Sequence, residues 1–204
     1  MAQMELAVLD FIQELFRNPF MDSLMPAVTS LGDAGFLWIL LGLALLCSRK
    51  YRRTGAAVLL SLAADLVICN LLLKNMVARV RPCDLNPAVQ LLIARPSDFS
   101  FPSGHTAAAF TSVFSLYREN NRLWKPVLVL AAVIAFSRMY LYVHFPTDVL
   151  GGVAVGWICA LAGQAVSRRL FPTPRTIKIF RTRIWNRCPI HIQLIIMKTL
   201  LLTF

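Results

Sequence analysis

Residues 125–166 read KPVLVLAAVIAFSRMYLYVHFPTDVLGGVAVGWICALAGQAV. Two apolar runs, 125–143 and 146–166, are each close to the roughly 20 residues a helix needs to cross a bilayer. They meet at a short turn around His144 and Pro146. Ser137, Arg138, His144 and Asp148 interrupt the oil only near that turn, so the pattern predicts a helical hairpin with polar side chains gathered at one end.

Working back toward the N-terminus, three more spans are expected, at 21–47, 54–77 and 102–117. Gly32-Asp33-Ala34-Gly35 should break the first of these or delay its start, and the third is short. Before them, residues 4–17 place Val8, Leu9, Ile12, Leu15 and Phe16 on one helical face, with Phe11 at its edge and Asp10, Gln13, Glu14 and Arg17 opposite. Glu5 and Leu6 do not fit that pattern. The expected fold is all-α: a polytopic membrane bundle of about five to six transmembrane helices, preceded by an amphipathic helix lying on the membrane surface.

Composition agrees. Of 204 residues 57% are hydrophobic and 15% charged, against about 25% charged in soluble domains; mean hydropathy is +0.63. The net charge of +11 is not laid out as a nucleic-acid surface: all ten acidic residues fall between Glu5 and Asp148, and from residue 171 onward there are six Lys/Arg and no acid. Residues 1–170 are expected to form the membrane domain, and 171–204 a basic tail without an assigned role. The basic stretches 48–53, 118–125 and 168–169 fall on one side of a five-span bundle, which should be the cytoplasm. The polar clusters then share the extracytoplasmic side. The five cysteines show no CxxC or Cys/His spacing; Cys83, in an expected exposed loop, is the one to test for reactivity.

Three clusters occur in order: Lys74 to Pro82, then Pro102-Ser103-Gly104-His105, then Ser137-Arg138 with His144 and Asp148. Lys74, Arg81 and Arg138 can neutralise phosphate oxygens, the arginines through a planar fork. Pro82 should end the helix carrying Lys74 and turn Arg81 into the loop. Ser103 and Gly104 look like a helix start whose free N–H groups favour an anion. A neutral imidazole can attack phosphorus and an imidazolium can protonate the leaving oxygen. Asp148, four residues after His144, can fix that ring's tautomer, which makes His144 the nucleophile and His105 the acid. No carboxylate cluster suited to Mg²⁺ accompanies them, so metal-independent chemistry without a cofactor is expected. Arg79 and Arg95 are evenly divided between loop charges and headgroup contacts, Asp84 and Asp98 read as ordinary loop residues, and Asp33 as a turn residue.

These clusters resemble the type 2 phosphatidic acid phosphatase superfamily, whose pattern is K-x6-RP, PSGH, then SR-x5-H-x3-D. Lys74, Arg81 and Pro82 match the first motif, Pro102 to His105 the second, and Ser137, Arg138, His144 and Asp148 the third. The match covers about residues 20–170. The resemblance implies a helical bundle, a phosphohistidine intermediate on His144, protonation of the leaving group by His105, no metal, and a lipid phosphate or diphosphate as partner within the membrane. Undecaprenyl diphosphate leads, with phosphatidylglycerol phosphate or phosphatidic acid as alternatives. A lipid or anion transporter or binding protein using the same pocket is the competing class, and a vanadate haloperoxidase is disfavoured by the spans.

Overall fold

The computed structural model describes residues 2–172, and every regular element among them is helical. Beyond its first two residues, the basic tail lies outside the described residues. The first helix, α1 (Ala2–Phe16), precedes α2 (Pro19–Ser30). Asn18 opens α2 from an extended backbone (φ −160°, ψ 162°), accepting a hydrogen bond from Met21 N at 3.0 Å, with Pro19 at the first helical position. A tight 3₁₀ turn, Asp33–Gly35, separates α2 from α3 (Phe36–Cys47). Ala34 (φ 50°) and Gly35 (φ 67°) are left-handed there, and the two helices bend by 43°. The expected break in the first span is therefore real.

The second apolar run is continuous but not uniform. After α4 (Arg52–Asp65) the backbone widens into a π-helix, Leu66–Leu73, closed by Lys74 N donating to Cys69 O, before α5 (Lys74–Val77). Wide π turns of this kind re-aim the side chains that follow them and are common at functional sites. The helix stops at Ala78, which is left-handed (φ 48°). Pro82 is thus not the terminator the sequence suggested: it opens α6 (Pro82–Leu85), with Arg81 extended before it (φ −78°, ψ 155°). The chain continues through α7 (Gly104–Arg118), α8 (Trp124–Tyr140) and α9 (Pro146–Leu170).

In α7, Ala107, Ala109, Thr111, Ser112, Ser115 and Leu116 are all fully buried. Small and hydroxylated residues let membrane helices approach closely. A Cβ added at Gly156 of α9 would lie 2.8 Å from Thr111 N, so α9 packs against the α7 backbone only because that position is glycine. Buried hydroxyls bond within the bundle: Ser112 Oγ donates to Ala108 O at 3.1 Å and Ser115 Oγ to Ser61 Oγ at 2.9 Å. Ile39, Leu40, Leu43, Leu66, Leu71, Val129 and Ile158 stay exposed, as lipid-facing side chains would.

Two helical runs, Arg52–Leu85 and Pro146–Leu170, are long and apolar enough to cross a membrane, and the bent pair Pro19–Ser30 with Asp33–Cys47 makes a third. At 15 and 17 residues, α7 and α8 fall short of a full crossing of about 20 residues. The expected apolar face of α1 divides. Leu9 and Ile12 are buried in the protein, whereas Met4, Val8, Phe11 and Leu15 form an exposed stripe at helical spacing. Cys83 is 1% exposed, contrary to the loop exposure expected of it. It is a packed hydrophobe rather than a reactive thiol.

The basic stretches do meet. Arg53 donates to Glu119 Oε1 at 3.1 Å, Arg118 Nε to Gln164 Oε1 at 2.7 Å, and Ser167 Oγ to Arg53 O at 3.0 Å. These contacts join the start of α4 to the ends of α7 and α9. The polar clusters sit at the other ends of the same helices.

Candidate active site

The three motifs converge at that second end. The C-terminus of α8 wraps tightly, with Val143 N and His144 N both donating to Arg138 O at 3.2 and 3.3 Å. This turn pins Arg138 beside His144. Pro146 then opens α9 and places Asp148 in its first turn, completely buried. Asp148 Oδ1 accepts from Arg79 Nη1 at 2.6 Å, and Oδ2 accepts from Phe145 N at 2.8 Å and from Ser100 Oγ.

His144 is 1% exposed. Arg81 Nη1 lies 3.1 Å from its Nε2. A guanidinium can only donate, so Nε2 is the accepting nitrogen and the proton belongs on Nδ1. Nδ1 faces Asp148 Oδ2 at 3.5 Å, too long for a formed hydrogen bond, and has no other partner. Burial above all, reinforced by the charges of Arg81 and Arg138 against the pull of Asp148, holds the ring's pKa at about 3. The imidazole is therefore neutral at physiological pH, with its Nε2 lone pair on the cation side of the site.

Arg81 meets that lone pair, Arg138 acts on the same ring as a second positive charge, and Asp98 ties Lys74 to Arg81. Arg81 is 2% exposed and also donates from Nη1 to Val143 O at 2.7 Å and from Nε to Asp98 O at 2.8 Å. Lys74 is 7% exposed, and a Cβ on Gly104 would lie 3.6 Å from its Nζ. Arg138, at 4%, donates from Nη1 to Thr29 Oγ1 at 2.6 Å, while its Nε has no partner among the described residues. Ser103 caps α7 and is buried, its Oγ accepting from Thr106 Oγ1 at 3.0 Å and its backbone N donating to Asp148 O at 3.1 Å. What the α7 start offers an anion is therefore its first-turn N–H groups, beginning at Gly104, rather than the serine hydroxyl.

His105 pairs through Nε2 with Asp33 Oδ1 at 2.9 Å. Sequence reasoning left Asp33 as a turn residue; the left-handed Ala34–Gly35 turn brings it onto the second histidine. Gly32 leaves room for that ring, because a Cβ there would lie 2.7 Å from His105 Cδ2 and 3.3 Å from Ile134 Cγ2. Gly32→Ala is accordingly expected to lower kcat about tenfold by displacing the imidazole, with KM within about twofold. Steady-state kinetics of the folded variant would check this; an unchanged kcat would remove His105 placement as the reason for the glycine.

Asp98 is the clearest departure from the sequence reading. It is half exposed, yet its carboxylate bridges Lys74 Nζ and Arg81 Nη2, the latter at 2.6 Å. Burial alone would raise its pKa, but hydrogen bonds and charges from Lys74 and Arg81 hold it at about 2. It thus stays ionised and occupies two of the three buried cations. Asp98→Asn is expected to lower the inhibition constant of orthovanadate about threefold to tenfold, and an unchanged constant would show that the carboxylate does not compete. Arg95, in contrast, is turned away, donating from Nη2 to Cys83 O at 2.8 Å and pairing with Asp84 at 3.3 Å. Arg79 meets Asp148 rather than solvent.

One end of the helical bundle thus gathers three buried cations, two histidines and a buried carboxylate. The chain belongs to the PAP2 superfamily, which it matches over residues 54–171, and so to a family of membrane lipid phosphatases. It is 37% identical over 155 residues to phosphatidylglycerophosphatase B of Bacillus subtilis, covering 70% of this chain and 73% of that one. It is 30% identical over 141 residues to undecaprenyl-diphosphatase BcrC of the same organism, covering 69% and 72%. Among solved structures it resembles Aquifex aeolicus LpxE with a TM-score of 0.67 and 31% identity, over 78% of this chain and 93% of that one.

Proposed function

We propose that residues 1–170 form an integral-membrane phosphatase that hydrolyses a lipid phosphate or diphosphate through a phosphohistidine. The observation that carries this is the Arg138 guanidinium, buried beside His144 with Nε unpartnered, since a buried unsatisfied donor is costly unless a ligand oxygen meets it. Lys74, Arg81 and Arg138 hold the three non-reacting oxygens and spread the charge that grows on them. The His144 Nε2 lone pair attacks the terminal phosphorus in line, the bond from that phosphorus to the leaving oxygen breaks (the lipid oxygen of a monophosphate, the bridging oxygen of a diphosphate), and His105 gives that oxygen its proton. His105 then takes a proton from water as the water oxygen attacks phosphorus, the P–N bond breaks, and inorganic phosphate leaves. Among the described residues no group of three or more His, Cys, Asp or Glu comes together. The three cations supply the neutralisation this metal-independent route needs.

Undecaprenyl diphosphate is the leading substrate, as the name of the BcrC relative suggests. Phosphatidylglycerophosphate, named in the other Bacillus relative, and phosphatidic acid are the alternatives. The test is phosphate release by purified protein in detergent with EDTA, each lipid offered to wild type and to His144→Ala. Release from one lipid, lost in the variant, supports the reading and names the substrate; counterflow of labelled lipid without hydrolysis overturns it. The loop charge supports an extracytoplasmic site. Ser97, exposed in the loop between α6 and α7, reports on this directly. Ser97→Cys is expected to react with a membrane-impermeant thiol reagent in intact cells, and labelling only after lysis would invert the orientation.

A further inference from the structure

Glu5 breaks the apolar periodicity of α1, and the structure shows where it goes. One carboxylate oxygen accepts from Arg79 Nη2, and the other accepts from Thr147 Oγ1 and, at 3.2 Å, from Thr147 N. Arg79 in turn donates from Nη1 to both Thr147 Oγ1 and Asp148 Oδ1, each at 2.6 Å, with its guanidinium 3.9 Å over the Phe145 ring. The left-handed Ala78 just before Arg79 turns it out of the helix toward this position. Further along α1, Gln13 Nε2 donates to Tyr140 O at 2.6 Å, and Asp10 Oδ1 accepts from Tyr142 OH at 2.7 Å. The helix is thereby fastened along the C-terminal end of α8, which carries the His144 turn. A chain of charge-assisted hydrogen bonds runs from Glu5 through Arg79 to Asp148, whose Oδ2 faces the His144 ring nitrogen Nδ1 at 3.5 Å.

We propose that Glu5 is a positioning residue for the reaction: it clamps Arg79 against Asp148 and so fixes the carboxylate that orients His144. This rests on the reading of His144 as nucleophile. Two physical effects support the assignment. Arg79 carries a positive charge directly on the Asp148 carboxylate, and alone it would weaken that carboxylate's pull on His144 Nδ1; Glu5 balances the charge. Arg79 is also a long side chain that loses rotamer entropy when immobilised, and a second anion holding its other nitrogen fixes the fork in one geometry. The Glu5 carboxylate stays charged: burial would raise its pKa, but Thr147 and Arg79 together hold it below the ordinary range.

The experiment uses the full chain in detergent and follows two readouts. One is the dissociation constant of orthovanadate, a mimic of the trigonal-bipyramidal transition state that needs an oriented His144 lone pair. The other is kcat and KM on whichever lipid phosphate is hydrolysed. Glu5→Ala is expected to weaken vanadate binding and lower kcat, each about tenfold, with KM within about twofold. Glu5→Gln, which keeps the shape and an acceptor for Thr147, should lose about threefold, and Glu5→Asp should recover part of the Glu5→Ala loss. Glu14→Ala, on the exposed face of the same helix, should change neither. In an Arg79→Met background, Glu5→Ala should add nothing. Vanadate affinity and kcat within twofold of wild type in both Glu5→Ala and Glu5→Gln would overturn the proposal, as would a raised KM at unchanged kcat or losses that multiply with Arg79→Met. Because vanadate binding does not depend on which lipid is the substrate, that arm decides the role of Glu5 even if none of the offered lipids is hydrolysed. Absence of vanadate binding by wild type would refute the phosphate site itself, and Glu5's role with it.

Discussion

His144→Ala is expected to lower phosphate release by at least about 10⁴-fold while leaving a folded, membrane-extractable protein. Among the described residues, nothing else near the cations can replace the ring. Lys74 and the arginines are cationic, His105 is engaged with Asp33, and Asp148 is enclosed by three donors. Water attacking a phosphate held in the cation cradle is the only remaining route, and electrostatic stabilisation alone leaves a residue of about 10³–10⁴ over the uncatalysed rate in comparable nucleophile deletions. Binding should survive better than turnover, because Lys74, Arg81 and Arg138 stay in place and Arg81 keeps Val143 O and Asp98 as partners. The measurements are single-turnover phosphate release and trapping of an acid-labile, alkali-stable phosphoenzyme with labelled substrate. Wild type should form that species and the variant should not. Turnover within tenfold of wild type would remove His144 from the nucleophile's role.

How this geometry was legible in the sequence depends on the range of each interaction. The turn joining α8 and α9 could be read directly: two apolar runs separated by Pro146 leave one place for a break, and the four-residue step from His144 to Asp148 is one helical turn. The position of His105 at the start of α7 follows equally from Pro102, Ser103 and Gly104. The π-helical stretch before Lys74 could not be read, since its apolar residues carry no mark that separates a five-residue turn from a four-residue one. The left-handed Ala78 was hidden for a similar reason: glycine, asparagine or aspartate usually takes such a position, and an alanine carries no sign of it. Both features aim side chains, and both determine which partners Lys74 and Arg79 reach. Asp98 and Asp33 looked like loop residues because their partners lie 24 and 72 positions away. Glu5 did leave a trace, as the polar residue that spoiled an amphipathic pattern. Its meaning required knowing that Arg79, 74 positions on, ends up beside α9.

Asp148→Asn should be nearly as damaging as loss of the nucleophile, on the order of 10³–10⁴-fold in kcat, although the two side chains are almost the same shape. The carboxylate is fully buried and accepts on both oxygens: Arg79 Nη1 reaches Oδ1, while Phe145 N and Ser100 Oγ reach Oδ2. An amide has one accepting oxygen and one donating nitrogen. With its NH₂ toward Arg79, two donors face each other, and a guanidinium cannot turn into an acceptor. With its NH₂ on the other side, it meets the backbone N–H of Phe145, which cannot rotate away, and it also presents a donor to His144 Nδ1. That second arrangement favours a proton on Nε2 and so removes the lone pair that attacks phosphorus in the proposed mechanism. In the first arrangement the tautomer survives, but the negative charge that would stabilise the ring as it becomes cationic is gone. Either way one buried donor is left without an acceptor, costing about 1–3 kcal/mol of stability. The expected signature is a large fall in kcat, a modest fall in the unfolding midpoint, weaker binding of orthovanadate, which needs the oriented His144 lone pair, and little change in competitive inhibition by inorganic phosphate, which reports on the cations. A variant that melts lower but keeps wild-type kcat would make Asp148 a structural capping residue and would return the tautomer of His144 to Arg81 alone.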